Sequence, residues 1–302
     1  MILVAGEALV DLVIDPDGAV TAALGGAPFN TARAGGRLGA DVAFLGTISI
    51  DRFGTMLAAR LAADGVSTDP VVRIDLPTTL AAAELNERGA ASYRFYIQGT
   101  SAPALAVVPE IEPDLLFTGG LGLVLEPMAE TIEALVTERS RDAMVIVDVN
   151  CRPLVVPERL SYVARVDRVV AHADVVKVSD EDLAYLLPGV DPKLAARRLL
   201  DRGPKAVLLT AGGSATHVLT ADGEATVPVE PVEVVDTIGA GDTFGGGFMS
   251  WWSASGLGAA EAGELDGLVP AVEAANTVAG IVCTRRGADP PWRAELPRDW
   301  SP

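Results

Sequence analysis

From about residue 114 the chain settles into an alternating order. Short runs that are almost continuously apolar (DLLFTGG, AMVIVDVN, ADVVKVS, KAVLLTAGG) alternate with longer stretches such as PMAETIEALVTERSRD and DPKLAARRLLDRG, where apolar residues return every three or four positions. Strands apolar on both sides of the pleat, separated by amphipathic helices, predict a mainly parallel sheet covered on both faces. Upstream, ILVAGEALVDLVI and DVAFLGTIS read as strands and FNTARAGGRLG as the helix between them. TTLAAAELNERGAASYRFYIQG reads as a hairpin turning at Asn86–Gly89. A hairpin at the margin of a core sheet predicts a lid. The expected architecture is α/β: one domain over 1–302, with a lid formed from about 12–24 and 72–100.

Near the C-terminus, VEVVD reads as a strand that leads into a helix, AGDTFGGGFMSWWSASG. Phe244, Phe248, Met249 and Trp252 lie at helical spacing and are expected to face the core. Gly239 and Gly241 then fall where the helix begins. The first amides of a helix lack intrahelical acceptors and the dipole is positive there, so bare backbone lets an anion approach. Asp242 in that first turn has two readings. It can offset the helix dipole, or it can accept a proton from an alcohol while the amides hold a developing phosphoryl charge.

Composition narrows the choice. The chain has 302 residues, 49% apolar and 21% charged, enough for a sizeable core. With 23 basic and 41 acidic residues the net charge is −18. No basic block stands out, so nucleic acid and anionic membrane are not expected partners. An anionic substrate would need local amides, arginines or a cation. Cys151 and Cys283 do not make a disulfide framework, and two histidines do not complete a zinc finger. The apolar start is interrupted by Glu7 and Asp11 and lacks a basic region, so it reads as a buried strand and the protein as cytoplasmic. There is no GxxxxGK[ST], and Gly239, Gly241 and Gly245 give GxGxxxG, not the dinucleotide pattern GxGxxG.

A second dense stretch is LGGAPFNTARAGGRLGADVAFLGTISIDRFG (24–54). Gly25 and Gly26 can admit a polyol to the backbone, and Asn30 offers a donor and an acceptor. The same residues also fit a tight turn with Asn30 capping the next helix. Asp11, inside an apolar strand, can accept two sugar hydroxyls or end a strand against a turn.

Taken together, GGAPFNTARAGGRLG and DTIGAGDTFGGGF resemble the N- and C-terminal signatures of the ribokinase-like, or PfkB-type, carbohydrate kinases, in the right order and separation. The resemblance covers nearly the whole chain. It implies a ribokinase-like three-layer sandwich with a mostly parallel central sheet and a small β-sheet lid, phosphorylating a sugar-like alcohol with ATP and Mg²⁺. Asp242 would be the base, with Gly239, Ala240 and Gly241 as the anion hole. Asp11, Gly25, Gly26 and Asn30 would hold the sugar. TAGGSATHV matches the nucleotide-side turn through Thr210 and Gly212, with Ala215 where a second glycine is usual. VKVSDEDL places Ser179 and Asp182 where relatives carry an Asn-x-x-Glu motif linked to Mg²⁺ and phosphate; the shorter acid can act on magnesium through water, or Ser179 caps the next helix with Asp182 in its first turn. Lys177 can reach the nucleotide or be a solvated lysine, and Asn276 lies where the family lines its adenine site. The positions matching a K⁺ site in some relatives are Asp236 and the carbonyls of Ile238, Val282, Arg285 and Gly287.

Ala27 stands where kinases of sugar phosphates often carry a basic residue, which favours an unphosphorylated sugar. SYRFYIQGTSA and DVNCRP resemble fructokinases and 2-keto-3-deoxygluconate kinases, with Arg94 and Arg152 able to bind hydroxyls, a substrate carboxylate or surface acids. The pattern tips toward fructose. The alternatives are 2-keto-3-deoxygluconate, ribose or a nucleoside, and a sugar sensor without catalysis. A homodimer through the lid is implied by the resemblance.

Overall fold

The computed structural model describes residues 1–85, 91–298 and 300. Its strands are β1 (Ile2–Ala5), β2 (Leu9–Ile14), β3 (Val20–Gly25), β4 (Val42–Leu45), β5 (Thr47–Ser49), β6 (Val66–Ser67), β7 (Val72–Ile74), β8 (Leu80–Leu85), β9 (Ala91–Tyr96), β10 (Leu115–Gly119), β11 (Met144–Asp148), β12 (Val175–Ser179), β13 (Ala206–Thr210), β14 (Ala215–Thr220) and β15 (Glu224–Pro228). The α-helices are α1 (Ala27–Arg37), α2 (Arg52–Ala63), α3 (Met128–Arg139), α4 (Arg159–Val170), α5 (Asp180–Leu186), α6 (Pro192–Leu200), α7 (Ala240–Ala254) and α8 (Leu265–Cys283).

The apolar runs form a nine-stranded sheet ordered β15-β14-β13-β12-β11-β10-β1-β4-β6. It is parallel from β13 to β6, with β14 and β15 antiparallel at one edge. Alternation across the pleat explains the three layers. On β1, Leu3 and Ala5 pack with Ile132 of α3, Val166 of α4, Leu183 of α5 and Leu199 of α6. Ile2 and Val4 face the other way, with Phe29 of α1, Leu57 of α2, Phe248 of α7 and Val272 of α8. Every strand of the middle is therefore buried on both sides. α8 is long and apolar enough to cross a membrane by length and composition, but Leu268, Ala271, Val272, Ala275, Val278 and Val282 place it in this core.

The first apolar run is two strands. Gly6 has φ 151°, and a Cβ there would sit 2.4 Å from Pro28 Cγ, so the chain breaks and passes from the large sheet into a second one. That sheet is ordered β3-β2-β8-β9. The expected hairpin forms its β8–β9 edge; the residues read as its turn, Asn86 to Gly89, lie outside the described residues. Val72–Ile74 pairs with Thr47–Ser49 in a separate two-stranded sheet. The expected strand VEVVD is absent. Residues 230–236 run irregularly over the surface without a neighbouring strand, tied down through Val235 and Asp236 N–H, both donating to Cys283 O.

Candidate active site

β1 lies between β10 and β4, so the order of strands reverses there, and the crevice outside the carboxyl ends of β1 and β10 is where an open α/β sheet binds ligands. Glu7, Gly119 and Gly120, Asp148 and Ser179 all stand at or just past the carboxyl ends of their strands. α7 delivers its N-terminus to the same place.

Gly239 is the N-cap of α7 in the left-handed region, with φ 77°. A Cβ on it would lie 2.5 Å from Ala288 Cβ, so glycine is required twice over, by conformation and by space. The first intrahelical bond runs from Thr243 N–H to Gly239 O at 2.8 Å. The amides of Gly241 and Asp242 precede it. Ala240 N–H is turned back to Thr237 O at 3.2 Å, so of the three residues expected to form the anion hole Ala240 already has a protein acceptor. Gly245, Gly246 and Gly247 serve packing instead, letting α7 lie close against Phe117, α1 and α8.

Asp242 is 9% exposed, and Asn30 Nδ2 donates to its Oδ2 at 2.9 Å. Burial pushes its carboxyl up to about 6, with the Asn30 hydrogen bond opposing the rise. Asn30 therefore does not cap a helix. α1 begins at Ala27 with Gly26 as its N-cap, which puts Asn30 inside the helix and its amide on Asp242. Gly26 has φ 110° and runs against the backbone of Glu7 and Ala8. Gly25 faces Asp11 on the four-stranded sheet: a Cβ there would lie 2.2 Å from Asp11 Oδ2. Burial pushes Asp11 up to about 6, and the Arg152 charge pulls it down.

Arg152 is exposed, donates to Cys151 O at 3.0 Å, and faces four carboxyl groups, lowering each of Glu7, Asp11, Asp148 and Asp242. Arg94 does not join it. The register of the four-stranded sheet pairs Asp11 with Ala81 and Ala81 with Phe95, whereas Arg94 pairs with Ala82 and through it with Leu12. Successive side chains alternate faces, so Arg94 projects from the face opposite Asp11.

Lys177 is not a solvated lysine. It is 6% exposed, its Nζ pairs with Asp148 Oδ2 at 2.8 Å, and it lies 3.1 Å from where a Gly241 Cβ would be. Burial works against its charge, but Asp148, Asp182 and Asp242 outweigh that and hold its pKa above the ordinary lysine value. Burial raises Asp148 despite Lys177.

Ser179 is the N-cap of α5, and its Oγ accepts from Asp182 N–H. Asp182 Oδ2 accepts from Ser179 N–H at 2.9 Å and from Ser179 Oγ at 2.7 Å, while Oδ1 accepts from Cys151 N–H at 2.6 Å. The carboxylate thus closes a capping box and ties α5 to the Cys151–Arg152 loop. Among the described residues no three His, Cys, Asp or Glu side chains converge on a metal site.

Of the residues expected on the nucleotide side, Thr210 makes a long 3.5 Å bond from Oγ1 to Val178 O. Gly212 turns the β13–β14 hairpin with φ 53° and nothing near its Cβ position, so its conformation, not crowding, selects glycine. The Asn276 amide is used within the protein: Oδ1 accepts from Thr216 Oγ1 at 3.0 Å and Nδ2 donates to Pro228 O at 3.3 Å, bracing α8 on the sheet edge. Asp236 draws two loops together, accepting from Ile238 N–H at 3.0 Å and Gly287 N–H at 2.8 Å. The carbonyls of Val282 and Gly287 accept from Arg285 and Asp289 N–H, each keeping a second lone pair.

The motifs alone did not assign Glu7, Asp148 or Asn150 to the site. Glu7 is 2% exposed, its Oε1 accepts from Ala27 N–H at 3.0 Å, and burial pushes its carboxyl up to about 7. Asn150 holds φ 40° just after β11 and lines a small cavity with Asp148, Gly120 and Thr31. The available signal was a polar residue closing an apolar parallel strand, as Asp148 does in MVIVD.

The family of pfkB carbohydrate kinases matches residues 1–295. A fructokinase of Rhizobium leguminosarum bv. trifolii is 38% identical over 259 residues, covering 83% of this chain and 79% of the relative. The crystal structure of a Xylella fastidiosa fructokinase with bound ATP superposes with a TM-score of 0.89 at 29% identity, covering 98% of this chain and 94% of that one. A double mutant of the Vibrio cholerae fructokinase, in a form binding fructose, ADP and a potassium ion, gives 0.85 at 27% identity, covering 95% and 93%. With both signatures meeting at the switch point and the match running almost end to end, the chain belongs to the pfkB family of carbohydrate kinases.

Proposed function

We propose that this carbohydrate kinase is an ATP-dependent fructokinase. The observation that carries the reading is the 2.9 Å bond from Asn30 to Asp242: it joins the two signatures across 212 positions, at the mouth of α7. The fructokinases among its relatives support the choice of sugar. Fructose would lie over the sheet face that carries both Asp11 and Gly25, beside Gly26 and Asn30, with Arg152 supplying the nearby positive charge. ATP would run along the ends of β12 and β13, past Ser179, Thr210 and Gly212. Asn30 holds one oxygen of Asp242 and leaves the other to take the proton of the attacking hydroxyl. The amides of Gly239, Gly241 and Asp242 and the Lys177 ammonium face the migrating phosphoryl group.

Magnesium would enter with the ATP phosphates and balance their charge, and no side chain here is assigned to it directly. The carbonyls of Ile238, Val282, Arg285 and Gly287 beside Asp236 fit a monovalent cation. Equal turnover in potassium and in a bulky organic cation would remove that site. The lid face opposite Asp11 carries Leu12, Ile14, Val20, Leu24 and Tyr96, with Val20 58% and Tyr96 51% exposed, and fits the same face of a second copy. A monomer by light scattering at assay concentration would refute the dimer.

An ADP-coupled assay across fructose, ribose, 2-keto-3-deoxygluconate and adenosine tests the substrate. The expected result is kcat/KM highest for fructose. A higher value for another acceptor, or binding of fructose without turnover, overturns the proposal.

A further inference from the structure

The base and the anion hole belong to α7, yet much of what fixes them is mounted on α1. Asn30, Arg33 and Arg37 follow each other at three- and four-residue spacing on one stripe of that helix. Asn30 holds Asp242. One turn on, Arg33 Nε pairs with Asp64 Oδ2 at 2.7 Å and its Nη1 donates to Ala288 O at 3.0 Å. Arg37 Nε pairs with Asp64 Oδ1 at 3.0 Å, and its Nη1 reaches Asp289 Oδ1 at 2.6 Å and Pro290 O at 2.5 Å. Both arginines are 6% exposed and Asp64 is 0% exposed.

Two buried guanidinium groups share one buried carboxylate. Asp64 neutralises only one of them, and a buried charge left without a partner is strongly unfavourable. The second is completed by the 288–290 segment, whose two carbonyls and one carboxylate close on the arginines. That segment backs the catalytic turn: Ala288 packs on Gly239, and Gly287 N–H is held by Asp236. Stapling α1 to α2 would need one arginine and Asp64. The extra arms go to the loop behind the anion hole.

We infer that Arg33 and Arg37 are positioning residues for phosphoryl transfer, holding the 287–290 loop so that the Gly239–Gly241 turn keeps its place relative to Asn30 and Asp242. The inference rests on the kinase reading. It makes α1 the common mount of the acceptor side and the phosphoryl side of the reaction.

Arg33→Lys tests it while keeping a positive charge for Asp64: one ammonium has no rigid fork to satisfy Asp64 and Ala288 together. The readouts are kcat and KM for fructose and ATP, and hydrogen exchange of peptides covering 285–292. Displacement of a catalytic group by about 1 Å is worth about 10²-fold, so kcat is expected to fall roughly 10- to 100-fold, with both KM values little changed and exchange in 285–292 accelerated. Asp289→Asn, at a half-exposed position, is expected to move the same quantities in the same direction by a smaller factor. Faster exchange with wild-type kcat, or a kcat lowered only in step with the folded fraction, overturns the inference. A wild-type chain that phosphorylates no sugar instead removes the reading beneath it.

Discussion

Asp242→Asn replaces the buried carboxylate by a neutral group of nearly the same shape, and Asn30 Nδ2 can still donate to the new side chain. The carboxyl is raised from 3.8 to about 6 because burial favours its neutral form. A carboxyl whose folded pKa lies above its unfolded one costs stability. The cost grows as pH rises from about 4 to about 6 and is constant above that. At 1.36 kcal/mol per pKa unit it amounts to about 3 kcal/mol at pH 8 and about half that at pH 5. Asp242→Asn is therefore expected to melt several degrees above wild type at pH 8, by a margin that shrinks toward pH 5, since 1 kcal/mol is worth roughly 2–4 °C in a large domain. The same variant removes the proposed proton acceptor, so kcat is expected to fall about 10²–10⁴-fold while fructose and ATP still bind. Denaturation of both proteins at the two pH values, with an ADP-coupled assay and ligand titration, gives all three quantities. A variant less stable than wild type at pH 8, or one turning over at the wild-type rate, would refute the argument that the site holds a destabilised carboxylate for catalysis.

Three further outcomes follow from the same geometry. In Asn30→Leu the Asp242 carboxylate loses a hydrogen bond worth about 1.5–3 kcal/mol, so the acidic limb of kcat/KM is expected to move up by about 1–2 pH units; an unmoved limb would show that Asp242 is not the group being titrated. Gly25→Ala drives a methyl into Asp11 Oδ2, at 2.2 Å, and is expected to raise KM for fructose about tenfold or more while leaving that for ATP in place, as steady-state kinetics will show. Lys177→Met leaves Asp148 buried and unpaired, costing about 3–5 kcal/mol in urea unfolding, and adding Asp148→Asn is expected to recover a large part of it.

The layered α/β fold was legible because strands buried on two faces must be apolar throughout, while helices covering them must be apolar on one side. MVIVD, VVKVS and AVLLT satisfy the first condition wherever they stand. VEVVD looked equally strand-like, but its backbone finds no partner strand, and only packing decides that. The break at Gly6 was hidden for a related reason: a glycine inside an apolar run signals a turn only once Pro28 is known to lie against it.

The site divides in the same way. Asp242 and the glycines at 239 and 241 could be read as a candidate anion mouth from bare backbone beside a carboxylate, whereas Gly25, Gly26 and Asn30 fitted a turn and a cap equally well and became sugar-site candidates only through the resemblance. Whether a polar side chain faces the crevice or is satisfied within the protein was not readable. Asn276 spends its amide on Thr216 and Pro228, Asp182 closes a capping box and holds Cys151, and strand register alone sends Arg94 to the face of the four-stranded sheet opposite Asp11. Sequence by itself determined the layers, their order and the bare turns, since these follow from local periodicity and from the volume of side chains. Tertiary structure decided the partners, placing Glu7, Lys177 and Asp148 in the site and joining α1 to the 288–290 loop, because charge pairing and burial depend on groups distant in the chain.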